Sequence, residues 1–228
     1  MKPIRIVCGT RASRDEFLQK TALGRSLSLV RFQPQPQILL FPENKAGLST
    51  IYNIAIERSK ADPAILIFVH DDVHFCDFFW PGTIREAVQS FDVVGLAGNR
   101  RRVPAQPGWA FVDPQFTWDK PEHLSGVVGH GKGFPCDTIS VFGASGQECK
   151  LLDGLLLAGD SARLNEAGIK FDEQFAFHFY DMDFCRQAEQ KGLKMGTWPL
   201  SVVHESGGAF GSPAWQEAYQ RYLRKYTS

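Results

Sequence analysis

The feature that most constrains the fold is an unbroken apolar run followed at once by acidic residues. Residues 64–69 read Ala-Ile-Leu-Ile-Phe-Val, and His70, Asp71 and Asp72 come directly after them. An apolar run without alternation is typical of a strand that is buried on both faces. In open sheets made of such strands, ligands bind beyond the carboxyl ends of the strands. The sequence therefore predicts an α/β protein with a functional site that begins at His70.

The flanking segments extend this α/β pattern. Helical patterns alternate in the first half of the chain with three further strand-like segments: residues 4–8, 37–41 and 91–97. This succession predicts a mostly parallel central sheet flanked by helices. Residues 99–141 are rich in Gly, Pro and aromatic residues and lack clear periodicity, which indicates a small irregular or antiparallel insert. Ser212 and Pro213 predict the start of a C-terminal helix.

Composition narrows the class of protein. The chain has 228 residues, and its 25 basic residues balance its 25 acidic ones. We expect a single domain that does not bind nucleic acid, because dedicated nucleic-acid binders carry a basic excess. The longest apolar run, six residues, is far too short to span a membrane, and no signal peptide is evident. The simplest expectation is a cytoplasmic protein without a stable membrane anchor. Its five scattered cysteines predict neither a disulfide framework nor a zinc site.

The adjacent carboxylates of Asp71 and Asp72 are the first candidate site. Two negative charges at the end of a buried strand are costly unless a positive group offsets them. Carboxylate oxygens suit Mg²⁺ or Mn²⁺, so a metal that bridges phosphate oxygens is one interpretation. The alternative is a solvated turn in which an aspartate caps a helix.

Two further candidate sites lie in the last third of the chain. Asp181 and Asp183 stand at the start of a predicted helix, where Asp183 is well placed as the N-cap residue. Asp181 would then point elsewhere, and in a partly apolar pocket it could act as a general base. His204 follows an apolar pair and precedes a glycine-rich loop. A single histidine more often has a structural role than a ligand role. The case for His204 as a functional residue therefore depends on the two acidic sites that accompany it.

Several motifs of other enzyme classes are absent from the sequence. There is no G-x-S-x-G nucleophile motif, no phosphate-binding P-loop, and no G-x-G-x-x-G motif after the first strand. These absences argue against a serine hydrolase, an ATPase and a dinucleotide-dependent dehydrogenase.

Taken in order, the motifs resemble those of GT-A-type nucleotide-sugar glycosyltransferases. The resemblance is to the family-2-like group that includes the streptomycin-biosynthesis-type glycosyltransferase domain, and it covers nearly the whole chain. The segments that carry it are residues 68–73, 94–98, 152–158, 171–175, 177–185 and 202–208. The chain departs from the commoner pattern in two places. The acidic motif is His-Asp-Asp instead of Asp-x-Asp, and Tyr180 stands where many relatives carry a second acid.

The resemblance implies roles for the acidic and histidine residues. Asp71 and Asp72 would be the acidic motif that holds Mn²⁺ or Mg²⁺ on the donor diphosphate, with Asp72 as the more direct ligand. His204 would join the metal or diphosphate site. Asp181 would match the acid that deprotonates the acceptor hydroxyl. The site that binds the nucleotide sugar would contain Thr10, Arg11, Glu43, Asn53, Asp71, Asp153 and Gly154.

The resemblance also implies a reaction and a domain organisation. The chain would be a hexosyltransferase-like enzyme that moves a sugar from a UDP- or GDP-sugar to an unidentified hydroxyl acceptor, with inversion. Residues 1–228 would form one domain, with a nucleotide-binding half (1–98), an acceptor and catalytic half (99–211) and a C-terminal helix (212–228). Two other interpretations stay open. One is a nucleotide-sugar-binding protein without activity, and the other is a metal-dependent phosphohydrolase or nucleotidyltransferase.

Overall fold

The computed structural model describes residues 2–29, 31–32, 34–208 and 210–226. The helices within them are α1 (Arg14–Lys20), α2 (Ala22–Leu29), α3 (Leu48–Arg58), α4 (Trp80–Ser90), α5 (Ser161–Glu166), α6 (Tyr180–Gln190) and α7 (Pro213–Tyr226). The strands are β1 (Ile4–Gly9), β2 (Gln37–Phe41), β3 (Ile65–Val69), β4 (Val73–Phe75), β5 (Val93–Gly95), β6 (Ala97–Asn99), β7 (Leu124–His130), β8 (Thr138–Gly143), β9 (Leu151–Leu152), β10 (Leu156–Asp160), β11 (Met195–Thr197) and β12 (Val202–His204). None of the helices in these described ranges combines the length and apolarity that a membrane crossing requires.

The apolar run forms the buried strand β3, as predicted. The sheet that contains it has the order β11-β5-β10-β3-β1-β2. β1 runs parallel to β2 and β3, and β11 runs parallel to β5, whereas β10 is antiparallel to both of its neighbours. The prediction of an α/β fold with a mostly parallel central sheet is thereby confirmed, with one antiparallel strand at its centre. β3 ends at Val69, so His70 is the first residue beyond the sheet.

The expectation of one strand over residues 91–97 is wrong. This stretch divides at Leu96 into β5 and β6, and these two strands belong to different sheets. Directly after the change of sheet, β6 makes a close backbone contact that only glycine permits. A Cβ atom on Gly98 would lie 2.4 Å from the carbonyl oxygen of Leu151 on β9, so a side chain there would push the strands apart.

The second sheet has the order β4-β12-β7-β6-β9, with β8 paired to β7. β7 and β8 form an antiparallel hairpin with a register shift between Gly126 and Val127. This hairpin is the antiparallel insert that the sequence predicts. The segment that precedes it, between β6 and β7, is irregular apart from a short 3₁₀ turn at Pro121–His123.

The C-terminal helix α7 begins at Pro213, as predicted, and the side chain of Ser212 accepts a hydrogen bond from the Trp215 amide at 3.2 Å. Residues 227 and 228 of the predicted segment lie outside the described residues. The expected role of Asp183 as a helix cap is wrong, because α6 begins three residues earlier, at Tyr180. Asp183 is fully buried instead and accepts hydrogen bonds of 2.6 Å from Lys225 and Tyr226 of α7. This carboxylate therefore anchors the C-terminal helix.

Candidate active site

A cavity of about 1310 Å³ lies at the carboxyl ends of β1, β3 and β12, beside the first turn of α6. It is the place that the sheet topology predicts for a ligand. The lining includes nine residues that the sequence predicts as site residues: Thr10, Arg11, Glu43, Asp71, Asp72, Asp153, Gly154, Asp181 and His204. The fold therefore brings together groups that lie almost two hundred positions apart in the chain.

Asn53 is placed differently from the other predicted site residues. It lies on α3, and both atoms of its side-chain amide are engaged by the segment before α6. Nδ2 donates to the Phe171 carbonyl at 2.9 Å and to Glu173 at 3.1 Å, and Oδ1 accepts from the Phe171 amide at 2.9 Å. This side chain holds two elements together, and it does not reach the lining of the cavity.

Thr10 and Asp71 connect the first strand to the acidic motif. The Thr10 hydroxyl donates to Asp71 Oδ2 at 2.5 Å and accepts a hydrogen bond from the Ala12 amide at 3.1 Å. Glu43, on the neighbouring loop, donates its amide to the Ala12 carbonyl at 3.0 Å and has a backbone φ of 47°. A residue other than glycine in this left-handed region carries strain, and such residues cluster at functional sites.

Three side chains at the end of the acidic motif form a group that could hold a metal. His70, Asp72 and His204 each offer a ligand atom, and these atoms lie within 4.8 Å of one another. Nε2 of His204 lies 3.4 Å from Oδ1 of Asp72. That Oδ1 is buried and makes no hydrogen bond within the described residues. A buried carboxylate oxygen that faces two imidazoles is a suitable ligand set for a divalent cation.

The pKa values of the three groups are shifted in different directions from their ordinary values. Burial lowers the pKa of His70, which keeps its imidazole neutral and able to act as a ligand. Burial alone would raise the pKa of Asp72, but the facing His204 outweighs it and holds that pKa at about 2. Burial likewise would lower the pKa of His204, and the Asp72 carboxylate raises it instead. Without a metal, Asp72 and His204 therefore form an ion pair, and a bound cation would replace the imidazole proton.

Asp181 is a carboxylate in the first turn of α6. Its Oδ2 accepts a hydrogen bond from the Gly154 amide at 3.0 Å, and its Oδ1 accepts one from the Met182 amide at 2.8 Å. Burial, together with the nearby charge of Asp153, raises the pKa of Asp181 to about 7. A carboxylate with this pKa can take up and release a proton near neutral pH, as a general base must.

Two further features of the cavity were not given a role from the sequence. His70 was predicted to begin the functional site, because it directly follows the apolar run, but it was not predicted as a metal ligand. The second feature is a set of aromatic residues. Trp109, Phe111 and Trp118 come from the segment without periodicity, Phe142 comes from β8, and Phe210 comes from the loop before α7. Tyr180 also lines the cavity, and its hydroxyl lies 2.8 Å from Nε2 of His70.

No family model matches the sequence, and no curated protein matches it either. Solved structures do resemble the chain. A mutant of Drosophila β1,4-galactosyltransferase 7, in complex with manganese, UDP-Gal and xylobiose, matches with a TM-score of 0.53 and 9% identity, over 96% of this chain and 80% of that one. GalNAc-T7 with UDP, GalNAc and Mn²⁺ matches with a TM-score of 0.53 and 12% identity, over 98% of this chain.

A fragment of S. aureus TarS matches with a TM-score of 0.51 and 12% identity, over 98% of this chain. The chain spans 64% of the TarS fragment and 48% of GalNAc-T7. Because the identities are close to 10%, the likeness concerns the arrangement of helices and strands. The chain therefore has the GT-A-type fold of nucleotide-sugar glycosyltransferases.

Proposed function

We propose that this chain is a glycosyltransferase that moves a sugar from a UDP- or GDP-sugar to a hydroxyl acceptor with the help of a divalent metal. One observation carries the proposal. A metal-ligand group, formed by His70, Asp72 and His204, shares a single cavity with the carboxylate of Asp181, whose pKa is raised to about 7. The complexes of two structural neighbours with UDP-Gal or UDP and with manganese support the same chemistry.

Asp72 and His204, with His70 as a third ligand, would hold the metal. Mg²⁺ prefers oxygen ligands, so a set with two imidazoles favours Mn²⁺ over Mg²⁺. When bound, such an ion supplies Lewis-acid stabilisation of the charge that grows on the leaving diphosphate. The buried Oδ1 of Asp72, which makes no hydrogen bond within the described chain, is the structural feature that fits this ion.

The other predicted residues divide between the two ends of the donor. Thr10, Arg11, Glu43 and Asp71 surround the part of the cavity next to β1, where the nucleotide would lie. Asp153 and Gly154 stand beside Asp181, where the transferred sugar would lie. The Gly154 amide already donates to Asp181, so the sugar pocket and the base are held in a fixed relation.

Asp181 would act as the general base. In the reaction, the acceptor oxygen forms a bond to the anomeric carbon while the bond from that carbon to the diphosphate oxygen breaks. The acceptor hydroxyl gives its proton to the Asp181 carboxylate, and the diphosphate leaves with the electron pair of the broken bond. A single displacement of this kind inverts the configuration of the anomeric carbon, so we propose an inverting enzyme.

A thermal-shift screen tests the proposal. The purified chain is heated with a panel of UDP- and GDP-sugars, with and without Mn²⁺, and release of nucleoside diphosphate is then measured for each donor that raises the melting temperature. A shift that requires both the donor and Mn²⁺, followed by diphosphate release, would support the proposal. Stabilisation without turnover by any panel member would favour a binding protein. Release of phosphate or pyrophosphate from a nucleoside triphosphate would favour a phosphohydrolase or nucleotidyltransferase.

A further inference from the structure

Part of the cavity is aromatic and carries no charge. The lining residues from the irregular segment before β7 and from β8 are Pro107, Gly108, Trp109, Ala110, Phe111, Trp118, Ser140 and Phe142. None of these side chains ionises. The residues that form the metal group and the base come from other elements. His130 lines the cavity on β7, next to β8, and burial lowers the pKa of its imidazole, so this neighbour is not a cation near neutral pH.

Trp118 is the most exposed ring of this aromatic part. Its ring stacks on Phe142, with the centroids 5.8 Å apart and the planes inclined by 15°. Phe111 and Trp109 meet it edge to face, at 5.1 and 6.5 Å. These contacts fix the plane of the indole, yet 55% of the residue remains exposed. A large aromatic surface that is held rigid and open inside a cavity is typical of a ligand-binding surface.

A continuous series of ring contacts connects Trp118 to the candidate base. Phe111 contacts Phe210 at 5.2 Å, Phe210 contacts Trp215 at 6.5 Å, and Trp215 contacts Phe179 at 5.3 Å. Phe179 is the residue that precedes α6, and Asp181 lies in the first turn of that helix. Trp118 and Asp181 also line the same cavity, so a molecule bound on the Trp118 ring lies in the cavity that contains the Asp181 carboxylate.

The chemistry of this wall selects a class of ligand. A pyranose or furanose ring presents C–H groups on its face and hydroxyls around its edge, so its face suits an aromatic plane. Because the aromatic part of the cavity offers no cation, it cannot offset the charge of a phosphorylated or carboxylated molecule. We infer that this wall is a saccharide-binding subsite, in which a neutral sugar ring lies on Trp118. That this saccharide is the acceptor rests on the proposed function, but its binding does not.

The test measures binding of neutral disaccharides by saturation-transfer NMR and titration. The panel contains xylobiose, cellobiose, maltose, lactose and chitobiose, and the proteins are the unmodified chain, Trp118→Leu, Trp118→Phe and Phe134→Ala. Phe134 is 73% exposed and does not line the cavity, so it controls for the loss of an exposed ring. We expect Trp118→Leu to weaken binding about ten-fold, since it removes the flat ring but keeps an apolar side chain. Trp118→Phe should weaken it less, and Phe134→Ala should leave it unchanged.

The inference is overturned if no disaccharide of the panel binds, or if Trp118→Leu binds them as the unmodified chain does. Without Mn²⁺, binding of a sugar phosphate that is stronger than that of the matching neutral sugar and that Trp118→Leu weakens would also contradict it. The same proteins are tested for the shift that a nucleotide sugar causes with Mn²⁺. Disaccharide binding that depends on Trp118 without any donor binding would refute the proposed function alone. Transfer to a disaccharide with an unchanged KM in Trp118→Leu would refute the subsite alone.

Discussion

The hydroxyl of Tyr180 lies 2.8 Å from Nε2 of His70 and donates its own hydrogen to the Gly154 carbonyl at 2.6 Å. A phenol has only one hydrogen to donate, so His70 must be the donor in the first of these contacts. The neutral His70 ring therefore carries its hydrogen on Nε2 and its lone pair on Nδ1. A partner that fixes the tautomer of a histidine in this way also fixes the nitrogen that is left for a metal.

Replacing Tyr180 by phenylalanine tests this relationship. The ring of Tyr180→Phe keeps the packing, but His70 loses the group that orients it. We expect Mn²⁺ to bind about 10- to 100-fold more weakly, the usual effect of removing such a partner. Titration calorimetry with Mn²⁺ alone measures this affinity, and circular dichroism checks that the variant is folded. An unchanged affinity in a folded variant would mean that Tyr180 does not orient His70 for metal binding.

Asp72 is predicted to be necessary for the metal-dependent effect of the donor. Asp72→Asn removes the charge that faces His204, so we expect Mn²⁺ affinity to fall by about 100-fold or more. The stabilisation by a nucleotide sugar with Mn²⁺ should disappear in a thermal-shift assay. Asp15→Asn, an exposed position on α1, is the matched control and should retain the full shift. Equal shifts in both variants would exclude Asp72 as a ligand.

The raised pKa of Asp181 predicts how transfer depends on pH. Because burial and then Asp153 raise this pKa to about 7, the rate should fall about ten-fold per pH unit below that value. Asp181→Asn should lower kcat by about 100- to 10,000-fold while the donor still binds. Asp153→Asn removes a like charge, so the acid limb of its pH–rate profile should move to lower pH. An acid limb at the same pH in Asp153→Asn would contradict this account.

The same pKa has a consequence for stability. The pKa of Asp181 is raised above its unfolded value, so between about pH 4 and pH 7 the folded chain holds a proton that the unfolded chain releases. This group therefore favours folding at low pH, and its contribution is lost as the pH rises toward 7. Asp181→Asn should be more stable than the unmodified chain at pH 8, and this difference should shrink at pH 4. Denaturant unfolding at both pH values measures it.

Gly154 is predicted to tolerate no side chain. A Cβ atom there would lie 2.4 Å from the Tyr180 oxygen and 2.9 Å from Cβ of Asp181, so Gly154→Ala must displace α6. We expect a loss of transfer activity and a destabilisation of about 1–3 kcal/mol. Gly82→Ala, on α4, meets no atom within 4 Å and should stabilise the chain by up to about 1 kcal/mol. Unfolding experiments on the two alanine variants compare these effects directly.

Asp183 is predicted to hold α7 in place. It is fully buried and accepts hydrogen bonds from Lys225, Tyr226 and Gln187, so Asp183→Ala should destabilise the chain by about 3–5 kcal/mol. Glu217→Gln breaks the exposed pair with Arg221 on the same helix and should cost less than about 1 kcal/mol. Chemical denaturation measures both changes. Equal losses of stability in the two variants would mean that the buried contacts of Asp183 stabilise the fold no more than the exposed ion pair does.

The sequence predicted the features that depend on local order. The apolar run located β3. The position of Asp71 and Asp72, just beyond the carboxyl end of this strand, followed from it. The sequence did not predict that residues 91–97 split between two sheets, because the strands that pair with β5 and β6 all lie later in the chain: β10 and β11 for β5, and β7 and β9 for β6. The buried contacts of Asp183 were not predicted for the same reason, because its partners lie on the last helix.

The sequence predicted those site residues that are charged and lie at the end of a strand or helix. It did not predict the site residues whose position depends on packing between distant parts of the chain. Asp181 and His204 stand at such ends, and the structure brings both to the cavity. The aromatic wall around Trp118 comes from a segment without periodicity, so nothing local indicated that its rings face a ligand. Asn53 is the opposite case, because it was predicted as a site residue but does not line the cavity. This polar residue on α3 donates a hydrogen bond to a neighbouring loop instead.

The antiparallel strand β10 governs the order in which this chain can assemble. It lies between β3 and β5, and both of these precede residue 99. A fragment that stops at residue 98 lacks β10, so the facing edges of β3 and β5 would stay unpaired and the first sheet would be incomplete. β10 follows the β7–β8 hairpin in the chain, so it must be synthesised before it can insert between β3 and β5. We therefore expect that residues 1–98 do not reach their native structure without the later part of the chain.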